Sequence, residues 1–202
     1  MTEGHAESSD EMLMVRYKRG DRDAFAELVR RYQRPLFNFS LRYVRNREAA
    51  QEIAQDAFLR VVKRSADFKH ESRFSTWIFA ITRNLCIDEL RKAKHRVHSS
   101  LDETSTNGQS LGEKIDGGKP ALDGEQGASN NELRGGILKA VDSLPEDQRE
   151  VFLLRQMGGV PFAEIARITG TPENTVKSRM RYALERLQKE LREYEEYARA
   201  LR

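Results

Sequence analysis

Apolar positions recur along most of this chain at spacings of three and four, and almost nowhere do they alternate with polar ones. That is the signature of amphipathic helices rather than strands. Behind Asp21 and Asp23, the residues Phe25, Leu28, Val29 and Tyr32 share one helical face. Pro35 is expected to break or kink that helix before "LFNFSLRYV". A second helix, roughly 47–64, sets Ala50, Ile53, Ala57 and Val61 on one side. The loop "ADFKHESRF" leads to a third, "STWIFAITRNLCIDELRKAKHR". There Phe74, Trp77, Ile78, Ile81 and Leu85 predict one buried stripe.

The C-terminal part reads as shorter helices. In "LRGGILKAVDSLPEDQREVFLLRQ", Ile137, Leu138, Val141 and Leu144 predict an amphipathic turn or two. Pro145 follows a natural stop, and a new helix begins with acids in its first turn. In "PFAEIARITGTPENTVKSRMRYALERL", Pro161 suits a first helical position and Gly170 a C-terminal cap after Thr169. Thr171 suits an N-cap, with Pro172 first in the next helix. Two helices joined by a tight glycine-containing turn match the helix-turn-helix pattern. In the last helix Val176, Met180, Ala183, Leu184 and Leu187 are expected to pack inward on Ile165 and Ile168. Lys177, Ser178, Arg181, Tyr182 and Glu185 then face outward.

Between these parts, 97–133 has neither helical nor alternating period and is rich in Gly, Ser, Asp and Asn. Such a composition buries too little apolar surface to offset the entropy of ordering, so it predicts a flexible linker. The expected architecture is all-α, two small helical domains (10–96 and 134–202) joined by an acidic linker, the second a helix-turn-helix. Charge sharpens this division. Residues 1–96 hold 20 Lys and Arg against 14 Asp and Glu, 97–133 hold 2 against 7, and 134–202 hold 13 against 11. Two basic ends flank an acidic strip. No apolar run approaches the ~18 residues that cross a bilayer, and the N-terminus lacks a basic-then-apolar leader, so a cytoplasmic protein without membrane insertion is expected.

Enzyme signals are poor. There is no glycine-rich phosphate loop, no metal-spaced His pair, and only one cysteine, Cys86, which reads as a small buried hydrophobe. His5, His70, His95 and His98 fall in or beside tails and loops. No catalytic residue, cofactor, metal or small-molecule substrate is expected. The remaining chemistry suits nucleic acid. The outward Lys177, Ser178, Arg181 and Tyr182 lie near the start of the second helix of a helix-turn-helix, where major-groove reading occurs. In the first domain Arg91, Lys92, Lys94 and Arg96 follow a segment bearing Phe68, His70, Phe74, Trp77 and Asn84. Aromatic, amide and basic groups together suit unstacked single-stranded bases, although Trp77 alone reads as readily as core.

Three stretches carry a family resemblance: "EAAQEIAQDAFLRVVK", "FKHESRFSTWIFAITRNLCIDELRK" and "LPEDQREVFLLRQMGGVPFAEIARITGTPENTVKSRMRYALERL". In this order and spacing they resemble bacterial RNA polymerase sigma factors of the extracytoplasmic-function type. The resemblance implies a protein that binds core RNA polymerase, at the β′ clamp and the β flap, and directs initiation at promoters of a stress or envelope-signal regulon. It implies that Glu52, Gln55, Asp56 and Phe58 dock on the β′ clamp. Phe68, Lys69, His70 and Asn84 would capture a flipped −10 base, with Arg91 and Lys92 on the backbone beside it. Lys177, Ser178, Arg181 and Tyr182 would read the −35 element. An anti-sigma factor is an expected further partner.

Gln51, Asn174 and Tyr182 depart from residues frequent in the family, so −35 preference does not transfer from relatives. A 37-residue tether has a coil span of ~30–35 Å and a reach of ~120–130 Å, enough for DNA elements one to three turns apart. Its acidity suits the enzyme's RNA-exit path, where family linkers thread. Beyond Leu184, Leu187 and Leu191, the heptad-like Tyr194, Ala198 and Leu201 suggest a docking stripe for an anti-sigma factor or for the first domain. The rival reading is an autonomous helix-turn-helix regulator.

Overall fold

The computed structural model describes residues 8–69, 73–103 and 135–192, with side chains as far as Arg96 in the second segment. His70, the linker from 104 onward and the tail positions Tyr194, Ala198 and Leu201 lie outside the described residues. All regular structure among the described residues is helical, and the chain divides into two compact units.

The first unit opens with α1 (Asp10–Lys18), a helix that the periodicity did not predict. The Ser9 hydroxyl accepts from the Met12 amide (3.2 Å), and Asp10 and Glu11 fill the first turn. Leu13 and Met14 go into the core. The next helix, α2 (Arg22–Val44), is capped by Asp21, whose carboxylate accepts from the amides of Asp23 and Ala24. It runs on through Pro35 rather than breaking there. An interior proline costs about 3 kcal/mol. Burying Leu28 on one side of it and Leu36 and Phe39 on the other, at ~1.5–3 kcal/mol each, outweighs that loss. Arg45, in the left-handed region (φ 55°), ends α2, and the Asn46 side chain caps α3 (Arg47–Lys63) through the Ala49 amide. The predicted stripe Ala50, Ile53, Ala57 and Val61 is buried.

A short 3-10 turn (Ser65–Asp67) precedes α4 (Phe74–Glu103). This helix continues seven residues into the stretch expected to begin the linker, because extending an existing helix costs far less than starting one. His95 and His98 accordingly sit within α4, not in a loop. Phe74, Ile78, Ile81 and Leu85 are buried as predicted. Rings connect the unit: Phe39 to Phe79 (5.3 Å), Tyr32 to Phe74 (5.2 Å), Phe74 to Phe68 (5.9 Å) and Phe68 to Trp77 (5.2 Å). Cys86 is buried, and that burial pushes its thiol pKa up to about 12.

The second unit contains α5 (135–143), α6 (Glu146–Gln156), α7 (Phe162–Thr169) and α8 (Glu173–Glu190). In α5 the inward residues are Ala140 and Val141, followed by Leu144. Ile137 and Leu138, expected inside, are 40% and 39% exposed. Arg149 of α6 donates to the carbonyls of Asp142 and Leu144 and so closes the end of α5. Gly170 ends α7 with φ 65°, its amide on the Ala166 carbonyl. The caps before α7 and α8 are Pro161 and Pro172, one position earlier than predicted for the prolines, and Thr171 caps neither. The Pro172 carbonyl instead takes the amides of Thr175 and Val176. On α8, Val176, Met180, Ala183 and Leu187 are buried, whereas Leu184 is 47% exposed. The inward set advances by four, three and four, which leaves Leu184 about 100° round the helix from Ala183.

Candidate nucleic-acid interface

The α7–α8 turn fixes the direction in which α8 leaves. The Gly170 and Thr171 amides both reach the Ala166 carbonyl, and the Thr171 hydroxyl contacts Arg179 Nη1 (3.4 Å). Arg179 also pairs with Asp147 of α6 (3.0 Å), so this cation braces α8 against α6. Lys177, Arg181 and Tyr182 stand outward, and Ser178 is half-buried with its hydroxyl donating to the Asn174 carbonyl (2.9 Å). All four predicted residues therefore lie on the first two and a half turns of one helix. Its cations are engaged along the helix, Lys177 with Glu173 (2.7 Å) and Arg181 with Glu185 (3.7 Å) and over the Tyr182 ring (5.0 Å). Exposed pairs four apart contribute ~0.3–0.5 kcal/mol, against ~1–3 kcal/mol for a bidentate base contact. A matching base edge can displace them, so the face is available to DNA.

In the first unit Glu52, Gln55 and Asp56 are exposed on α3, opposite its buried stripe. Phe58 is half-buried and edge-on to Phe25 (6.3 Å), so most of its ring belongs to the unit itself. Leu59 and Val62, 54% and 40% exposed, continue the outward face and were not singled out from sequence. Both lie off the buried stripe, a sequence signal that could have found them. A groove of ≈ 350 Å³ runs between α3 and α4, with Glu52, Asp56 and Arg60 on one wall and Asp88, Arg91 and Lys92 on the other. Residues expected to serve separate partners thus share one groove.

Among the remaining predicted base-capture residues, Lys69 and Asn84 are exposed. Phe68 is not: it is 4% exposed, packed on Phe74 and Trp77, because the chain after the 3-10 turn folds back over α4. Trp77 is half-buried and two helical turns before Asn84, on the same side of α4. Helix α1 ties down both ends of this segment. Lys18 Nζ donates to the carbonyls of Phe68 (3.3 Å) and Ala66 (3.5 Å), and the Phe74 amide donates to Glu11 Oε1 (2.9 Å). Asp10 in turn binds Arg31 (2.7 Å) and the Tyr32 hydroxyl of α2. Burial, with Asp10 nearby, raises the Tyr32 pKa and keeps that hydroxyl protonated as a donor. Among the described residues no cluster of His, Cys, Asp and Glu could hold a metal, and no helix is long and apolar enough to cross a membrane.

The Sigma-70 region 2 family matches residues 28–96 and the Sigma-70 region 4 family matches 134–187. The chain is 33% identical to the ECF RNA polymerase sigma factor SigW of Bacillus subtilis, over 87% of this chain and 93% of that one. It is 30% identical to the RNA polymerase sigma-H factor of Pseudomonas aeruginosa, over 92% and 95%. Among solved structures it resembles the sigma factor RpoE of Bartonella quintana, determined with the anti-sigma factor NepR. The TM-score is 0.62 at 25% identity, covering 83% of this chain and 96% of that one.

Proposed function

Because this chain belongs to the ECF RNA polymerase sigma factors, we propose that its two units divide promoter recognition between them while core polymerase holds both. Residues 10–96 bind core enzyme through the α3 face of Glu52, Gln55 and Asp56, with Phe58 supporting it from within. Lys69, His70 and Asn84 take the −10 strand as the duplex opens, with the buried Phe68 beneath Lys69. Arg91 and Lys92 hold its backbone. Residues 134–202 place Lys177, Ser178, Arg181 and Tyr182 in the −35 major groove, and 97–133 spans the two.

The observation that carries this reading is the outward face of α8: two cations and a tyrosine stand clear of the core in a helix-turn-helix whose entry angle is locked by Gly170. Phosphate contacts there would position the helix, and base-edge contacts would specify the sequence. The protein supplies recognition, and the chemistry of RNA synthesis remains with polymerase in the cytoplasm. An anti-sigma factor is a fitting regulator, since the Bartonella neighbour was solved with one.

Run-off transcription with purified core polymerase and genomic fragments tests the reading. Initiation from discrete start sites that requires this protein is expected. Sequence-specific binding of duplex DNA by the free chain, with no initiation on adding core enzyme, would instead favour the autonomous regulator.

A further inference from the structure

Helix α1 lies outside the stretch that matches Sigma-70 region 2, yet it makes the contacts that bound the base-capture segment. Glu11 and Lys18 are seven residues apart, two turns of one helix, and so project on the same side with ~10 Å of rise between them. Their targets are the two ends of the segment between the 3-10 turn and α4. Glu11 takes the Phe74 amide, one of the α4 donors that no helical carbonyl can reach, and its charge complements the positive end of that helix. Lys18 takes the Phe68 and Ala66 carbonyls. Neither residue can drift, because the helix between them buries Leu13 and Met14 and its start is pinned by Asp10 on Arg31 and Tyr32. The same contacts fix Phe68 against Phe74 and Trp77, and with them the face that leads to Asn84.

We propose that α1 is a strut for promoter opening: Glu11 and, more weakly, Lys18 are positioning residues that fix Phe74 and Phe68, and through them the Trp77–Asn84 face of α4, for the −10 strand without touching DNA. The proposal rests on the assignment of that segment to the −10 strand. Capturing a flipped base depends on geometry within a fraction of an ångström, and a 1 Å misplacement from outside a site can cost as much as two orders of magnitude. Glu11 has the shorter contact and carries the larger effect. The two Lys18 contacts are long, and the one to Ala66 is solvent-exposed, so they contribute less.

The test uses reconstituted holoenzyme carrying Glu11→Ala, Glu11→Gln, Lys18→Met or Asn84→Ala. Each is assayed for core affinity, for −35-dependent duplex binding, and for preference between fork templates whose opened −10 strand carries the cognate or a swapped base. Glu11→Ala is expected to lower the cognate-over-swapped ratio about tenfold, and Lys18→Met about threefold, with core affinity and −35 binding within about twofold. Glu11→Gln, which keeps an acceptor for the Phe74 amide, should recover most of the ratio. An unchanged ratio in Glu11→Ala overturns the proposal, as does an equal loss on every template together with weaker core binding, which marks a merely structural helix. Asn84→Ala separates the two levels of the argument. If it too leaves the ratio unchanged, the −10 assignment itself fails; if it collapses the ratio while the α1 variants do not, only the strut fails.

Discussion

The two units hold their proposed nucleic-acid faces in place by different means. In the second unit the face is one surface of one helix, and what orients it is mostly local: Gly170 in the left-handed region and the Pro172 carbonyl, with one Arg179–Asp147 pair reaching back to α6. In the first unit the corresponding edge is assembled from α1, the 3-10 turn and α4. Contacts spanning 48 to 63 residues of sequence hold it, along with a chain of aromatic rings reaching back to α2. The difference fits the two tasks proposed for them. Major-groove reading needs a stiff helix delivered at a fixed angle, whereas holding an unstacked base needs several elements converging on a small space.

The largest separation between the units should come from the aromatic chain. Phe74→Ala removes a fully buried ring from the first unit, at a cost of about 3–5 kcal/mol. The lone tryptophan, Trp77, reports that unit alone, so its fluorescence melt should fall sharply while amide exchange in α6–α8 holds. Equal losses in both would show that the units do not fold separately. Next comes Arg181→Ala, which should weaken −35-dependent promoters by about 1–3 kcal/mol, ten- to hundredfold, with core affinity unmoved. Assays of holoenzyme on promoters with and without a −35 element decide it.

Gly170→Ala probes the local device itself. An added Cβ would meet no atom within 4 Å, so the whole effect is backbone strain in the left-handed region, about 1–2 kcal/mol. Chemical denaturation of the second unit should register it, and the Trp77 signal should not. Acid should act the other way round. Arg31 and Arg30 hold Glu27 below the usual carboxylate range, and the Ala24 amide with Arg16 does the same for Asp21. Their stabilisation is present above the unfolded values of 4.5 and 3.8 and is lost as pH falls through the lowered folded ones. Both carboxylates are partly exposed and screened by solvent, so the shift should be small, a lower urea midpoint for the Trp77 transition between about pH 6 and about pH 3. A midpoint that stays level across this range would remove these two carboxylates from the stability of the first unit.

What could be read without a structure followed periodicity. The stripes Ala50/Ile53/Ala57/Val61 and Phe74/Ile78/Ile81/Leu85 are buried as spaced, and the glycine at 170 ends its helix as its position suggested. Periodicity failed where the pattern was ambiguous or too short. In "DEMLMVRYK" the apolar residues Met12–Val15 are consecutive, which defines no stripe, so α1 was missed. In α5 and α8, Leu138 and Leu184 sat one step from the true inward line, while Ile137 keeps the inward spacing yet is 40% exposed in the first turn of α5. Of the candidate site, the outward side of α8 was legible because it occupies one helix with fixed geometry. The exposure of the proposed −10 residues was legible only in part. Lys69 and Asn84 are exposed, but Phe68 turned inward, and nothing in its own segment could signal that.

The sequence by itself settled helix class, the family and which side of α8 faces outward, since each depends on residues within a few turns of one another. Only the tertiary structure decided that Pro35 is spanned, that Phe68 is buried against Phe74 and Trp77, and that Glu11 and Lys18 reach Phe74 and Phe68. Those outcomes turn on burial and hydrogen bonding between elements far apart in the chain, and no local pattern encodes which distant amide an exposed-looking glutamate will find.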